Sequence, residues 1–150
     1  MATLTFQNAG TLQAGISLLQ PHRPETNVGS RIAGVATTAG MAVYEDPTTG
    51  KLLQADASSA GKQQCSGLVL EAKGIGQACT VVWDGPVDGF DLSGSNFGDL
   101  IYLDVTGTLN TVANGTKTVV VGRVAATGVV DQTGAIRKCL FLNRNWVANW

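Results

Sequence analysis

The sequence predicts an all-β protein: a small β-barrel or sandwich of two similar hairpin units, with an extended N-terminal arm. Three observations predict it, namely short apolar runs rich in β-branched and aromatic residues, turn residues between these runs, and an internal repeat. Each run is bounded by Gly, Asp, Asn or Pro, which is typical of strands. No long amphipathic helix is visible, and only residues 56–62 and 143–150 could form a helical turn or two.

The predicted strands follow one another at short intervals, as in closed barrels and small sandwiches. Residues 46–50 separate two apolar segments, with Pro47 fixing one turn dihedral and Gly50 allowing a positive φ. Asn114-Gly115 lies between two further apolar segments and predicts a tight type I′ hairpin there. The predicted strands are residues 41–44, 67–70, 80–83, 100–103, 118–121 and 139–142.

An internal repeat divides most of the chain into two units. Both copies begin with Gly, an aliphatic–Tyr pair and Asp, and continue with a Thr-Gly turn followed by x-Leu. A unit of this size cannot bury its apolar face alone, so we expect the two units to fold against each other. The matched segments are 40–52 with 98–109, 67–69 with 122–124, and 79–82 with 139–142.

Residues 1–39 differ from this pattern and are predicted to form an N-terminal arm and linker, followed by a β domain of residues 40–150. The first 20 residues hold scattered apolar side chains without alternation. Pro21 and Pro24 then favour extended backbone in the residues before them. Because so apolar an arm would be poorly buried on a single chain, we expect it to pack on a neighbouring one.

Composition and charge exclude several classes of protein. Only 14% of the 150 residues are charged and the net charge is −1, so the basic face that nucleic-acid binding needs is missing. No apolar run approaches the roughly 18 residues of a membrane span. The first residues do not resemble a secretory signal. We therefore expect synthesis in a cytoplasm, and neither nucleic acid nor a membrane as a partner.

No histidine or cysteine pattern indicates catalysis or a metal centre. The single histidine, His22, lies in a proline-rich stretch without a carboxylate nearby to orient it. Cys65, Cys79 and Cys139 are too widely spaced for a metal-binding motif, and an odd number does not predict a disulfide framework. We expect these cysteines to be reduced and buried.

The acidic stretch around Asp84, Asp88 and Asp91 leaves one question open. Hard cations bind clustered oxygen ligands, and paired carboxylates serve in hydrolysis, so both kinds of site are conceivable here. Asp beside Gly and Pro is also what an ordinary β-turn uses. The sequence does not decide whether the three bind a cation. We expect a protein that is not an enzyme and that holds no cofactor.

The segment Ala39-Gly40-Met41-Ala42-Val43-Tyr44-Glu45-Asp46, together with residues 50–57 and 66–72, resembles the small β-rich capsid decoration (cement) proteins of tailed bacteriophages. The second copy, residues 98–104 through 122–125, fits the same pattern, so the likeness covers about residues 39–142. The resemblance implies a non-enzymatic, often trimeric protein on the outside of the phage head, where it strengthens the shell.

The sequence and this resemblance together predict a virion structural protein, made in the host bacterial cytoplasm and bound to the capsid exterior. Its expected partners are the major capsid protein and further copies of itself, as a homotrimer. The alternative is a head-fibre or tail module that binds a host-surface glycan through exposed aromatic side chains. The residues predicted to contact the capsid or another subunit are Leu4, Phe6, Leu18, Leu19, Arg23, Trp146 and Trp150.

Overall fold

A computed structural model describes residues 4–6, 20–21 and 27–143 of the chain. The protein is all-β, as predicted, and its main sheet is antiparallel and curls into half a barrel. A short 3₁₀ turn covers Val105–Gly107. The strands are β1 (Thr5–Phe6), β2 (Gln20–Pro21), β3 (Asn27–Ile32), β4 (Ala42–Glu45), β5 (Leu52–Gln54), β6 (Gly67–Val69), β7 (Ala78–Asp88), β8 (Phe90–Asp91), β9 (Leu100–Leu103), β10 (Leu109–Asn110), β11 (Val120–Val130) and β12 (Ile136–Asn143).

The order of strands in the main sheet confirms the internal repeat. Within the described residues, the sheet runs β10-β9-β11-β12-β7-β6-β4-β5. From either end, the sheet begins with a hairpin, which is β9–β10 on one side and β4–β5 on the other. The next strand of the chain follows inward (β11 or β6), and then the one after it (β12 or β7). We call β4–β7 unit 1 and β9–β12 unit 2. Each unit corresponds to one copy of the sequence repeat, and the units meet where β7 pairs with β12.

Each unit contains a row of three residues that pair directly across its central strands. The first member lies on the opening strand, the second on the next strand inward and the third on the last strand. Because matching positions of the repeat occupy matching positions of the ladder, the two rows are structurally equivalent. Row 1 is Ala42–Leu68–Val82 in unit 1, and row 2 is Leu100–Arg123–Phe141 in unit 2.

In both units, the residue beside the row must be a glycine for the same steric reason. A Cβ atom on Gly67 would lie 2.5 Å from the carbonyl oxygen of Val82, and one on Gly122 would lie 2.2 Å from that of Phe141. Val82 and Phe141 are themselves equivalent. The backbone of the last strand therefore occupies the space that any larger side chain would need, in unit 1 and in unit 2 alike.

The sequence alignment of the two units is wrong by one residue at their last strands. Matching residues 79–82 with 139–142 makes Val82 equivalent to Leu142, whereas the ladder makes it equivalent to Phe141. Both strands carry consecutive apolar residues, so residue type does not fix which face each one occupies. Pairing with the neighbouring strand fixes it instead.

The predicted turn at residues 46–50 is confirmed, and the predicted hairpin at Asn114-Gly115 is wrong. The first joins β4 to β5, and Gly50 has a φ of 71°. At the second, β10 and β11 both pair with β9, which lies between them. Gly115 answers a different need, since a Cβ atom on it would lie 2.3 Å from the Cβ of Ala57. A local turn signal cannot show that a third strand intervenes.

Strand β7 contacts both units and the N-terminal segment. Val82 pairs with Val28 of β3 and with Leu68 of β6, so these two strands lie on opposite edges of β7. Farther along, Asp84 to Val87 pair with β12. Residues 27–32, which lie within the segment predicted as arm and linker, thus form a strand on one edge of β7.

Two cores lie on the two faces of unit 1. Along β4, Ala42 and Tyr44 face the main core between the units, whereas Val43 faces a second, smaller core. Unit 2 contributes one face to the main core, including Ile101 and Leu140. The second core is completed by Ala33, Leu52, Val69, Cys79 and Val81.

Asp104 organises the turn after β9 and contacts unit 1. Its carboxylate accepts hydrogen bonds from the Val105 amide at 2.8 Å and from the side chains of Asn110 at 3.0 Å and Asn114 at 3.4 Å. Its carbonyl oxygen accepts a hydrogen bond from the Ala57 amide. Burial by itself raises the pKa of this carboxyl, but the three hydrogen bonds outweigh it and hold the pKa below its ordinary value.

We predict that Asp104 contributes to the acid sensitivity of the fold. A carboxyl whose pKa is lowered on folding stabilises the protein above its unfolded-state pKa of about 3.9, and this stability is lost as the pH falls through the lowered value. The free energy of unfolding should therefore decrease from about pH 5 downward. In Asp104→Asn the free energy of unfolding should be lower at neutral pH, and it should decrease less as the pH falls, because the amide takes up no proton. The free energy of unfolding is measured by urea titration at each pH. If it changes with pH by the same amount in both proteins, Asp104 does not have this role.

We also predict that the two equivalent glycines are sterically required. Gly67→Ala and Gly122→Ala should each lower the free energy of unfolding by about 2 kcal/mol, because the added methyl group must displace backbone. The matched control is Gly94→Ala, whose Cβ would have no neighbour within 4 Å. That change should stay within about 0.5 kcal/mol. Urea titration of the three variants gives the comparison, and equal effects at all three sites would refute the steric explanation.

Candidate functional site

The β11–β12 hairpin carries a group of exposed aliphatic side chains at its end. Every residue from 128 to 136 is exposed, and we call this segment the hairpin tip. Val129, Val130 and Ile136 expose 47%, 59% and 52% of their surface. Val130 and Ile136 pair directly across the two strands, so their side chains share one face. Exposed apolar clusters of this kind mark interaction sites.

The turn of the hairpin tip is organised by one carboxylate. Asp131 Oδ1 accepts hydrogen bonds from the Thr133 amide at 2.8 Å, the Thr133 hydroxyl at 2.6 Å and the Ala135 amide at 3.0 Å. These bonds, with that from the Thr133 hydroxyl foremost, lower the pKa of Asp131. The one charged group of the tip therefore accepts hydrogen bonds within the hairpin itself and stabilises its turn. The tip thus presents exposed aliphatic side chains on a turn of defined shape, which also carries the single negative charge of Asp131.

A bulge separates the tip from the rest of the hairpin. The pairing register shifts between Ala126 and Val130, and Gly128 has a φ of 81°. Thr127 is buried, and its hydroxyl oxygen accepts a hydrogen bond from the Val129 amide at 3.0 Å. A bulge bends its strand and increases the local twist. The exposed side chains are thus set on a segment that departs from the plane of the sheet.

Lys138 anchors the base of the hairpin to the loop before β9. Its ammonium group donates to the carbonyl oxygens of Ser95 and Leu92 and lies 5.5 Å from the centroid of the Phe97 ring. Lys138 pairs with Ala126 just below the bulge. The base of the hairpin is therefore fixed to the loop before β9.

The equivalent connection in unit 1, between β6 and β7, is structural rather than projecting. It is bonded to the segment that follows β3: the Thr37 amide donates to the Lys73 carbonyl and the Gly76 amide to the Ala33 carbonyl, both at 2.8 Å. The Thr37 hydroxyl also accepts from the Lys73 amide. One copy of the repeat thus uses its hairpin to hold the N-terminal segment, and the other presents its hairpin outward.

Two of the residues predicted as contacts lie in the described part of the chain. Leu4 packs on the main core, and its amide donates to the Leu109 carbonyl at 3.0 Å. It also lines a cavity of about 220 Å³ together with Phe90 and Leu109. Phe6 belongs to β1 and pairs with Phe90 of β8. The remaining predicted contacts lie outside the described residues: Leu18, Leu19, Arg23, Trp146 and Trp150.

The acidic residues singled out by the sequence serve local roles in the structure. Asp88 accepts a hydrogen bond from the Gly89 amide and lies 3.7 Å from Arg137. Asp91 accepts from Ser93, and these bonds lower its pKa. Asp84 pairs across the ladder with β3 and β12. In residues 4–6, 20–21 and 27–143, no group of three or more His, Cys, Asp or Glu side chains is arranged to hold a metal ion.

The three cysteines are reduced thiols in the structure. Cys79 and Cys139 are buried and Cys65 is half-buried. Burial raises the pKa of the Cys65 thiol to about 11 and also raises that of Cys79, so both are protonated and weakly nucleophilic at neutral pH.

Within the described part of the chain, no helix combines the length and the hydrophobicity that crossing a bilayer requires.

Sequence reasoning missed the hairpin tip. A signal was present, because Val129 and Val130 are followed by Asp131, a Gly and then Ile136, which is the pattern of two apolar strands around a turn. That pattern does not distinguish a buried hairpin from a projecting one. The distinction depends on how far β11 and β12 extend beyond their neighbours, which the sequence does not display.

We predict that the hairpin tip can be made polar without cost to the fold. Val130→Ser and Ile136→Ser should each change the free energy of unfolding by less than about 0.5 kcal/mol, because both side chains are already exposed. Leu140→Ser, on the same hairpin but fully buried, should cost more than about 3 kcal/mol. Thermal or urea unfolding measures all three. A large loss at Val130 or Ile136 would mean that the tip packs on the chain itself.

No family model matches the chain, and neither a curated protein nor a solved structure matches it.

Proposed function

We propose that this chain is a virion structural protein that binds the outside of a phage capsid and stabilises the shell. The observation that carries the proposal is the hairpin tip: three aliphatic side chains, 47% to 59% exposed, on a hydrogen-bonded turn in a hairpin whose base is anchored by Lys138. Exposed aliphatic groups on a preformed support favour an apolar contact with another protein, because little ordering entropy is lost on binding.

Stabilisation of the shell then follows from linkage. A protein that binds only the assembled shell lowers the free energy of that state relative to its dissociated subunits. Several copies of the protein, or several contacts per copy, add up even where each contact is weak. The contact needs no catalytic group, and the one charged side chain of the tip, Asp131, is hydrogen-bonded within its own turn.

The resemblance of residues 39–142 to capsid decoration proteins supports the same proposal. Both matching stretches fall on strands and turns of the two units, so the likeness extends over the folded body rather than one loop. The hairpin tip follows the second stretch in sequence and lies before residue 142, where the likeness ends. A glycan-binding fibre or tail module is the other function that this β architecture could serve, and the experiments below separate the two.

We predict that purified phage heads lacking this protein bind it through the hairpin tip. Wild-type protein should sediment with the heads and raise the temperature at which they release DNA. The double variant Val130→Asp/Ile136→Asp should bind about thirtyfold more weakly or worse, because a buried charge at the centre of a contact costs about 2 kcal/mol or more. The control is Ile75→Asp, whose side chain is 70% exposed on unit 1.

Two outcomes would count against the proposal in different ways. Failure of wild-type protein to sediment with the heads would contradict the capsid function. Normal binding by the double variant would leave the capsid function standing but remove the hairpin tip from it. Counting copies in purified virions by quantitative mass spectrometry gives an independent check. Copy numbers comparable to the major capsid protein favour a shell protein, and a handful per particle favours the fibre or tail alternative.

A further inference from the structure

The Asn114-Gly115 pair lies in the connection between β10 and β11, outside any strand, and its two residues are arranged to react with each other. The Asn114 side chain is exposed to water. Gly115 has no side chain to shield its amide nitrogen, and within residues 4–6, 20–21 and 27–143 that nitrogen donates no hydrogen bond. Asparagine is a thermolabile residue, and an accessible amide nitrogen beside its carboxamide is a nucleophile within reach of the side-chain carbon.

The carboxamide of Asn114 is held only weakly. Its Nδ2 donates to Asp104 Oδ2 at 3.4 Å, which is longer than an ordinary N–H···O hydrogen bond. Asn110 donates to the same oxygen at 3.0 Å, but Asn110 is buried and is followed by the β-branched Thr111. The two asparagines therefore share one acceptor and differ in exposure and in the residue that follows, which makes Asn110 a natural control.

We propose that Asn114-Gly115 is a site of spontaneous deamidation in the folded protein, with water as the only co-reactant. The Gly115 nitrogen attacks Asn114 Cγ, and the new Cγ–N bond closes a cyclic imide. The Cγ–Nδ2 bond breaks, and Nδ2 leaves as ammonia after the proton of the Gly115 amide has passed to it through water. Water then opens the imide at either carbonyl carbon and gives aspartate or isoaspartate. Overall, water is consumed, ammonia is released, and no atom is oxidised or reduced.

The products alter a contact between unit 1 and unit 2. The Thr116 hydroxyl and the Lys117 amide donate to the Ala57 carbonyl at 3.3 and 3.2 Å, and the Ala57 amide donates to the Asp104 carbonyl. In the aspartate product, the new carboxylate faces the carboxylate of Asp104 and has no proton to donate. In the isoaspartate product, the backbone is longer by a methylene just before Gly115, where a Cβ would already lie 2.3 Å from the Cβ of Ala57. Both products therefore loosen the contact.

This inference concerns the chemistry of the chain and does not rest on the capsid function. The test is the appearance of aspartate and isoaspartate in the purified, folded chain, kept in mildly alkaline buffer and followed by peptide mass spectrometry. We expect Asn110, and also Asn96, which is exposed but followed by Phe97, to remain amides when half of Asn114 has reacted. Isoaspartate identifies the imide route, because direct hydrolysis of the side chain gives aspartate only.

The same chain unfolded in guanidinium chloride gives the rate that the local sequence allows without the fold. We expect the folded chain to react at a comparable rate, because Asn114 is exposed and the Gly115 amide is not engaged. If Asn114 stays intact in the folded chain while the unfolded chain reacts, the fold protects the pair and the proposal is overturned. Conversion of Asn114 without any isoaspartate overturns it as well.

The effect on the fold is tested with Asn114→Asp, which reproduces the aspartate product. At neutral pH the ratio of folded to unfolded protein should fall about fivefold, the size of the repulsion between two unit charges about 4 Å apart in water. In the Asp104→Asn background the same change should cost much less, because the facing carboxylate is gone. Urea titration measures all four proteins. An equal loss in both backgrounds, or no loss in either, overturns the loosening of the contact between the units.

Discussion

The backbone ladder along β7 is the constraint on which the rest of the structure depends. One edge of this strand pairs first with β6 of unit 1 and then with β12 of unit 2, while its other edge holds β3. Neither unit has enough strands to bury two faces by itself. Because β7 fixes the position of both units, the apolar faces of unit 1 and unit 2 meet, and the main core forms between them.

The sequence was informative about whatever repeats at short range and uninformative about pairing at long range. The all-β class, the turn at residues 46–50 and the two units follow from alternation, turn residues and self-similarity. The error at Asn114-Gly115 arose because an Asn-Gly pair reports local backbone preference and not the position of β9. The one-residue error between Val82 and Phe141 arose because consecutive apolar residues do not define a face.

The same limit applied to the candidate site. Exposure of Val129, Val130 and Ile136 results from the length of the hairpin relative to its neighbours, and β-branched residues are also what a buried strand uses. Equivalent segments of the repeat acquired different roles through their surroundings. The connection after β6 binds the segment around Thr37, and the connection after β11 projects. Comparing the two units position by position therefore reveals more about function than either unit does separately.

The meeting of β7 with β12 bears on the ancestry of the fold. Asp84 lies opposite Asn143, so the last strands of the two units pair antiparallel, and an irregularity of β7 between Val82 and Asp84 places Val82 and its equivalent Phe141 on opposite faces of the sheet. Two separate copies of one such unit would join as a dimer through the same edge strand. Tandem duplication of a gene for one unit, followed by fusion, converts such a dimer into a single chain. Association that once depended on concentration then becomes intramolecular, and the two halves are free to diverge.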